Sequence, residues 1–263
     1  MRLSFLITLG AFSLQAYGKP YVMGALGDSV STATNSTGWG DKLRSSWSTG
    51  TSFGDSLGES HFQKLQKIYG KSEVKAYNKA VSGSESSDLG NQIQGLSPYN
   101  PDYVTILMGG NDLCHMPISH LRAKNIAVVD QLEENMAKGI TTLVKQNQNI
   151  KILLVPIPDL IQVRELGQAK GCQWIWDLFQ VCKPILPSQR TPGERANFAA
   201  ILKEANQRLV QLAGRFPENV RIDPSIGDMD FEPDHISSRD CFHPSGAGQA
   251  FLAEKTWSQG WFP

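Results

Sequence analysis

Tyr21-Val22-Met23-Gly24-Ala25-Leu26-Gly27-Asp28-Ser29-Val30 is the stretch on which the fold turns. Its apolar part reads as a short buried strand, and the run stops at Gly-Asp-Ser. Small polar residues follow (Ser31, Thr32, Thr34, Asn35, Ser36, Thr37, Gly38), which leave Ser29 approachable. Open α/β sheets place their chemistry at the C-terminal ends of strands, and this pattern puts Ser29 at such an end. A hydroxyl is a weak nucleophile, so the placement gains meaning only with a base and an oxyanion hole elsewhere in the chain.

Outward from this stretch, strand-like apolar runs alternate with helix-like ones. Strands are predicted at 20–27, 73–81, 102–109, 150–157 and 219–223. Val129, Leu132, Met136, Ile140 and Leu143 recur every three or four residues and give one helix an apolar face. Phe198, Leu202, Ala205, Leu209 and Leu212 do the same for a second. That helix opens with Thr191 as N-cap, Pro192 in the first turn and Glu194 completing a capping box; Gly214 and Pro217 mark its end. Alternation of this kind predicts a three-layer α/β/α domain around a central, mostly parallel five-stranded sheet. Residues 158–191 follow neither period and are apolar nearly all round. They read either as a buried excursion or as an insertion beside the active site that meets an apolar acyl chain.

The 263 residues are 40% hydrophobic, enough for one domain with a full core. Basic and acidic residues balance at 25 each with no long basic run, which sets nucleic acid aside as a partner. No obligate protein partner is evident. Met1-Arg2, the apolar run from Leu3 to Leu14, and the small residues around Gly18 read as an export signal. The expected division is a leader over 1–18, cleaved near Gly18, and a mature domain over 19–263, secreted or periplasmic. All four cysteines (Cys114, Cys172, Cys182, Cys241) lie beyond the leader, and an even count in an exported chain predicts two disulfides, with three connectivities open.

Near the C-terminus, Asp240-Cys241-Phe242-His243 sets a carboxylate three residues before an imidazole, so that one can hold the other. Alone, that spacing is common. It is joined by Met108-Gly109-Gly110-Asn111-Asp112 after the third strand and Asn78-Lys79-Ala80-Val81-Ser82-Gly83 after the second. Both fall on the sheet edge that carries Ser29, and a glycine N–H and an asparagine amide are the donor types an oxyanion hole needs. Asp234-His235 lacks the spacing, and His115 and His120 lack a third metal ligand. Hydrolysis at such a site requires no metal or other cofactor.

Gly-Asp-Ser after the first strand, Gly83 after the second, Gly-x-Asn-Asp after the third and Asp-x-x-His near the end resemble, in order, the four blocks of the SGNH or GDSL hydrolases. The resemblance spans nearly the whole mature chain and implies a flavodoxin-like sheet. It makes Ser29 the nucleophile, His243 the base and then acid, and Asp240 the orienting carboxylate. The N–H groups of Ser29 and Gly83 and the side chain of Asn111 would form the oxyanion hole. Ala25-Leu26-Gly27-Asp28-Ser29, Gly109-Gly110-Asn111-Asp112-Leu113-Cys114 and Asp240-Cys241-Phe242-His243 resemble the phospholipase B branch, with Val30 where leucine is usual. That branch implies a lipid-acting esterase (phospholipase, lysophospholipase or lipase) making transient contact with a lipid surface. Esters of acetylated sugars, small soluble esters, acyl transfer to an alcohol, and a non-catalytic binding module with a relic triad are the alternatives.

Gly54-Asp55-Ser56-Leu57 spells the family motif more literally, yet no buried strand precedes it. The preceding Ser45-Ser46-Trp47-Ser48 resembles a loop that follows the true serine in the phospholipase B branch. If Asn111 and His243 converge as the resemblance implies, Cys114 is expected to bridge Cys241, with Cys172–Cys182 clipping the insertion.

Overall fold

The computed structural model describes residues 19–262, so the leader expected over 1–18 lies outside the described residues. Five strands form one sheet: β1 (Tyr21–Gly27), β2 (Val74–Asn78), β3 (Tyr103–Leu107), β4 (Lys151–Val155) and β5 (Val220–Arg221). Their order is β2-β1-β3-β4-β5, and every pairing is parallel. Each lies inside a stretch predicted from sequence, trimmed at its ends. Beyond Asn78 the chain still bonds β1, through Lys79 N to Ala25 O and Val81 N to Gly27 O, while the Asn78 side chain accepts from Ala80 N and donates to the Ser31 carbonyl.

The helices are α1 (His61–Tyr69), α2 (Leu89–Leu96), α3 (Gly110–Cys114), α4 (Ile118–Arg122), α5 (Ala127–Gln146), α6 (Leu160–Ala169), α7 (Gln173–Phe179), α8 (Pro192–Ala213) and α9 (Gly246–Ser258). Strand alternation sends Val104, Ile106, Ile152 and Leu154 to one face, where they pack with Ile93, Ile140 and Leu209 of α2, α5 and α8. Tyr103, Leu107, Leu153 and Val155 point to the other, against Leu65 of α1 and Leu252 and Trp257 of α9. All of β3 is buried, as a central parallel strand covered on both faces must be. The capping box at α8 forms as its sequence predicts: Thr191 Oγ1 accepts from Glu194 N and Glu194 Oε2 from Thr191 N. No helix among the described residues is long and apolar enough to cross a membrane.

The 158–191 segment holds two helices where periodicity indicated none. Leu160 and Val163 of α6 and Trp176 of α7 face inward, whereas Trp174, Leu178 and Phe179 of α7 are largely exposed. Two apolar faces on one short helix erase the period.

Both disulfides form, with a pairing other than the expected one. Cys114 bonds Cys182, and Cys172 bonds Cys241. Cys172 is the N-cap of α7 and Cys182 lies beyond its end, so an intact helix occupies the interval that a Cys172–Cys182 clip would have to collapse. Cys241 lies against α6, its carbonyl close to Gly167, and that directs it to the start of α7 rather than to Cys114.

Candidate active site

Three segments remote in sequence meet at the C-terminal edge of the sheet. β1 ends at Gly27 with φ +142, and a Cβ there would lie 2.2 Å from the Leu107 carbonyl oxygen, so only glycine lets the chain turn against β3. Gln92, a buried polar residue on the apolar face of α2, holds this turn from both sides. Its Oε1 accepts from Gly27 N and its Nε2 donates to Gly27 O, each at 2.8 Å. Ser29 follows, nearly buried, with its hydroxyl at the floor of a cavity.

His243 Nε2 lies 2.7 Å from Ser29 Oγ, and His243 Nδ1 lies 2.6 Å from Asp240 Oδ2. The ionised carboxylate accepts from Nδ1–H, which leaves the Nε2 lone pair to accept the serine O–H. Asp240 Oδ1 accepts from the N–H groups of Phe242 and His243, so one turn holds both residues. Burial alone would raise the Asp240 carboxyl; the bonds from His243 and Asn35 outweigh it and hold the group below its ordinary value. Asp28, fully buried, is pushed up to about 6, chiefly by burial.

Asn111 lies in the first turn of α3 and lines the same cavity as Ser29 and His243. Its Nδ2 donates to the Ser84 carbonyl at 2.9 Å, and Ser86 donates from N and Oγ to Asp112. These bonds tie the 82–86 loop to the start of α3. Gly83 lies on that loop with φ +82, outside the set of residues lining the cavity, and a Cβ there would meet no atom within 4 Å. Neither Ser29 N nor Gly83 N donates to a backbone acceptor among the described residues. The cavity is apolar, lined by Ile157, Leu160, Val163, Phe231, Ile236 and Phe242, and encloses about 50 Å³.

The other residues singled out in the sequence fall elsewhere. Ser56 sits in a loop bridged to Phe53, beside the almost fully exposed Leu57. His235 accepts from Glu232 N and stacks on Phe251, and His115 pairs with Glu85. Ser46 and Trp47 are buried, joined to Ser31 and Gln249, so that stretch braces the loop after Ser29. Sequence reading passed over Asn35, whose Nδ2 donates to Asp240 Oδ2, and Gln92. A polar residue on the Leu89–Ile93–Leu96 face was the available signal for Gln92; one asparagine in a polar run gave none for Asn35.

The family model for GDSL-like lipase/acylhydrolase matches residues 23–256. Among solved structures, the lipase Lip_vut3 from a goat rumen metagenome is 16% identical, covering 92% of this chain and 98% of its own, with a TM-score of 0.59. An extracellular lipase from Streptomyces rimosus is 17% identical over 92% of this chain and 100% of its own, with a TM-score of 0.56. The acetylxylan esterase Axe2 from Geobacillus stearothermophilus, solved as a catalytic mutant, is 17% identical over 94% and 96%, with a TM-score of 0.55. At such identities these likenesses speak for the fold. No curated protein is a significant sequence match.

Proposed function

The chain belongs to the GDSL-like lipase/acylhydrolase family of carboxylic ester hydrolases, and from that premise we propose that it is an exported serine esterase acting on acyl esters of lipids through Ser29, His243 and Asp240. The observation that carries this reading is the unbroken relay from Ser29 Oγ through His243 to Asp240, at 2.7 and 2.6 Å. Ser29 Oγ attacks the ester carbonyl while His243 Nε2 takes its proton. The negative charge on the carbonyl oxygen is met by the N–H groups of Ser29 and Gly83 and by the Asn111 amide. His243 then protonates the departing alcohol, and water, activated by the same nitrogen, releases the acyl group from Ser29.

The apolar lining supports an apolar acyl group, and the exposed Trp174, Leu178 and Phe179 of α7 support transient contact with a lipid surface. Two disulfides are in keeping with an exported, secreted or periplasmic, chain and with the division into a leader over 1–18 and a domain over 19–263. A second reading is favoured by the cavity's size: about 50 Å³ suits an acetyl group better than a fatty chain, which points to acetylated sugars or small soluble esters.

Hydrolysis of p-nitrophenyl acetate, butyrate and palmitate and of a phospholipid, by the parent, Ser29→Ala and Ser56→Ala, tests these readings. The expected result is a silent Ser29→Ala and a fully active Ser56→Ala, with the phospholipid cleaved. Activity confined to the short esters would keep the triad and transfer the substrate to the second reading. An active Ser29→Ala would overturn the site.

A further inference from the structure

Asp240 is held on its two oxygens by different parts of the chain. Oδ1 takes the N–H groups of Phe242 and His243, within its own turn. Oδ2, the oxygen that faces His243 Nδ1, takes one further donor, Asn35 Nδ2 at 2.6 Å, from the loop after Ser29. We infer that Asn35 is a positioning residue for the hydrolytic reaction, fixing the Asp240 carboxylate so that Oδ2 stays aligned on the imidazole.

The amide is itself prevented from turning. Asn35 Oδ1 accepts from Gly40 N at 2.8 Å, so Nδ2 must point the other way, toward Asp240. Asn35 N donates to Gly40 O at 2.9 Å, and Asn35 O accepts from Ser237 Oγ at 2.7 Å. The residue sits at φ +57, a left-handed conformation that asparagine tolerates better than most L-residues. The loop that begins at the nucleophile thus reaches across the site to the acid. A bond between Asn35 and Asp240 ties the positions of Ser29 and His243 to each other independently of substrate.

This inference rests on the triad reading, so the test carries Ser29→Ala as its reference. Asn35→Gly accepts the left-handed backbone and removes the donor. Loss of one charge-assisted hydrogen bond predicts a kcat about tenfold lower. KM should stay within about twofold, since substrate contacts are untouched. In an Asp240→Ala background the same change should cost nothing more, because the group it positions is gone. A merely structural role would give the same fractional loss in both backgrounds, and that result, or a kcat within about twofold of the parent, overturns the inference. Should Asn35→Gly fail to fold, Asn35→Ala removes the donor without adding a charge and is read in the same two backgrounds. An equal fractional loss in both, or a kcat within about twofold of the parent, overturns the inference, and a loss confined to the Asp240 background upholds it. An active Ser29→Ala would instead remove the triad reading beneath it.

Discussion

Asn111 divides one amide between two tasks. One N–H of Nδ2 is committed to the Ser84 carbonyl, which leaves the other for the task we propose, in the cavity that Asn111 shares with Ser29. Under the proposed mechanism Asn111→Ala removes an oxyanion donor, and it also removes one of the bonds that tie the Gly83 loop to α3, leaving those from Ser86 to Asp112. The expected loss is on the order of 10²–10³ in kcat with little change in KM, measured on p-nitrophenyl butyrate. A variant within about threefold of the parent would take Asn111 out of the site. The residues proposed for the chemistry were legible because Ser29, Gly83 and Asn111 follow predicted strands, and because Asp240 and His243 stand three apart in one short motif. Asn35 and Gln92 were not, since their meaning lies in partners 205 and 65 residues away. A side chain that only orients another leaves no local pattern.

At the scale of elements, the chain around α7 is stapled to the segments that carry Asn111 and the Asp240–His243 turn rather than closed on itself. Cys172–Cys241 fastens the start of α7 between Asp240 and His243, and Cys114–Cys182 fastens the chain beyond α7 to the end of α3, whose first turn bears Asn111. The spans of 68 and 69 residues would each remove about 4 kcal/mol of denatured-state entropy in the chain-entropy account, less for the second because the two overlap. Replacing Cys172 and Cys241 together by alanine should lower Tm by several degrees and, unlike an ordinary surface change, lower kcat as well, because Cys241 sits at φ +58 inside the turn that holds Asp240 and His243. Scanning calorimetry and steady-state kinetics on the same preparation check this. Unchanged kcat with lowered Tm would show that the turn keeps its shape without the bond. The strands were legible as short apolar runs, the central β3 buried on both faces, and α5 and α8 as helices with one apolar stripe; the pairing of the cysteines was not, because it depends on where α7 lies.

In the whole molecule, two buried groups oppose each other in their response to acid. His61, on α1, is fully buried between Tyr103 of β3 and Thr256 of α9, with both ring nitrogens bonded at 2.8 Å. It joins three elements of the fold, and nothing in the sequence near it says so. Burial and Lys64 lower it from 6.5 to about 3. The unfolded chain therefore takes up a proton below pH 6.5 that the folded chain refuses, and the stability His61 lends is lost as pH falls, by about 1.4 kcal/mol per pH unit. Asp28 behaves in the reverse sense. Raised from 3.8 to about 6 chiefly by burial, it binds its proton in the folded state first, so its contribution is lost as pH rises from about 4 to 6. Between those limits the two slopes cancel. Urea unfolding of the parent from pH 4 to 6 should give a nearly level stability as far as these groups govern it. Asp28→Asn, whose Oδ1 still accepts from Val30 N, should show stability rising with pH across the same range, and His61→Gln should show it falling. Parallel curves for all three proteins would mean that neither burial perturbs protonation. Below pH 4 the Asp28 term is spent, and protonation of Asp240, held low by its donors, adds to the loss from His61; acid unfolding of the parent should set in there.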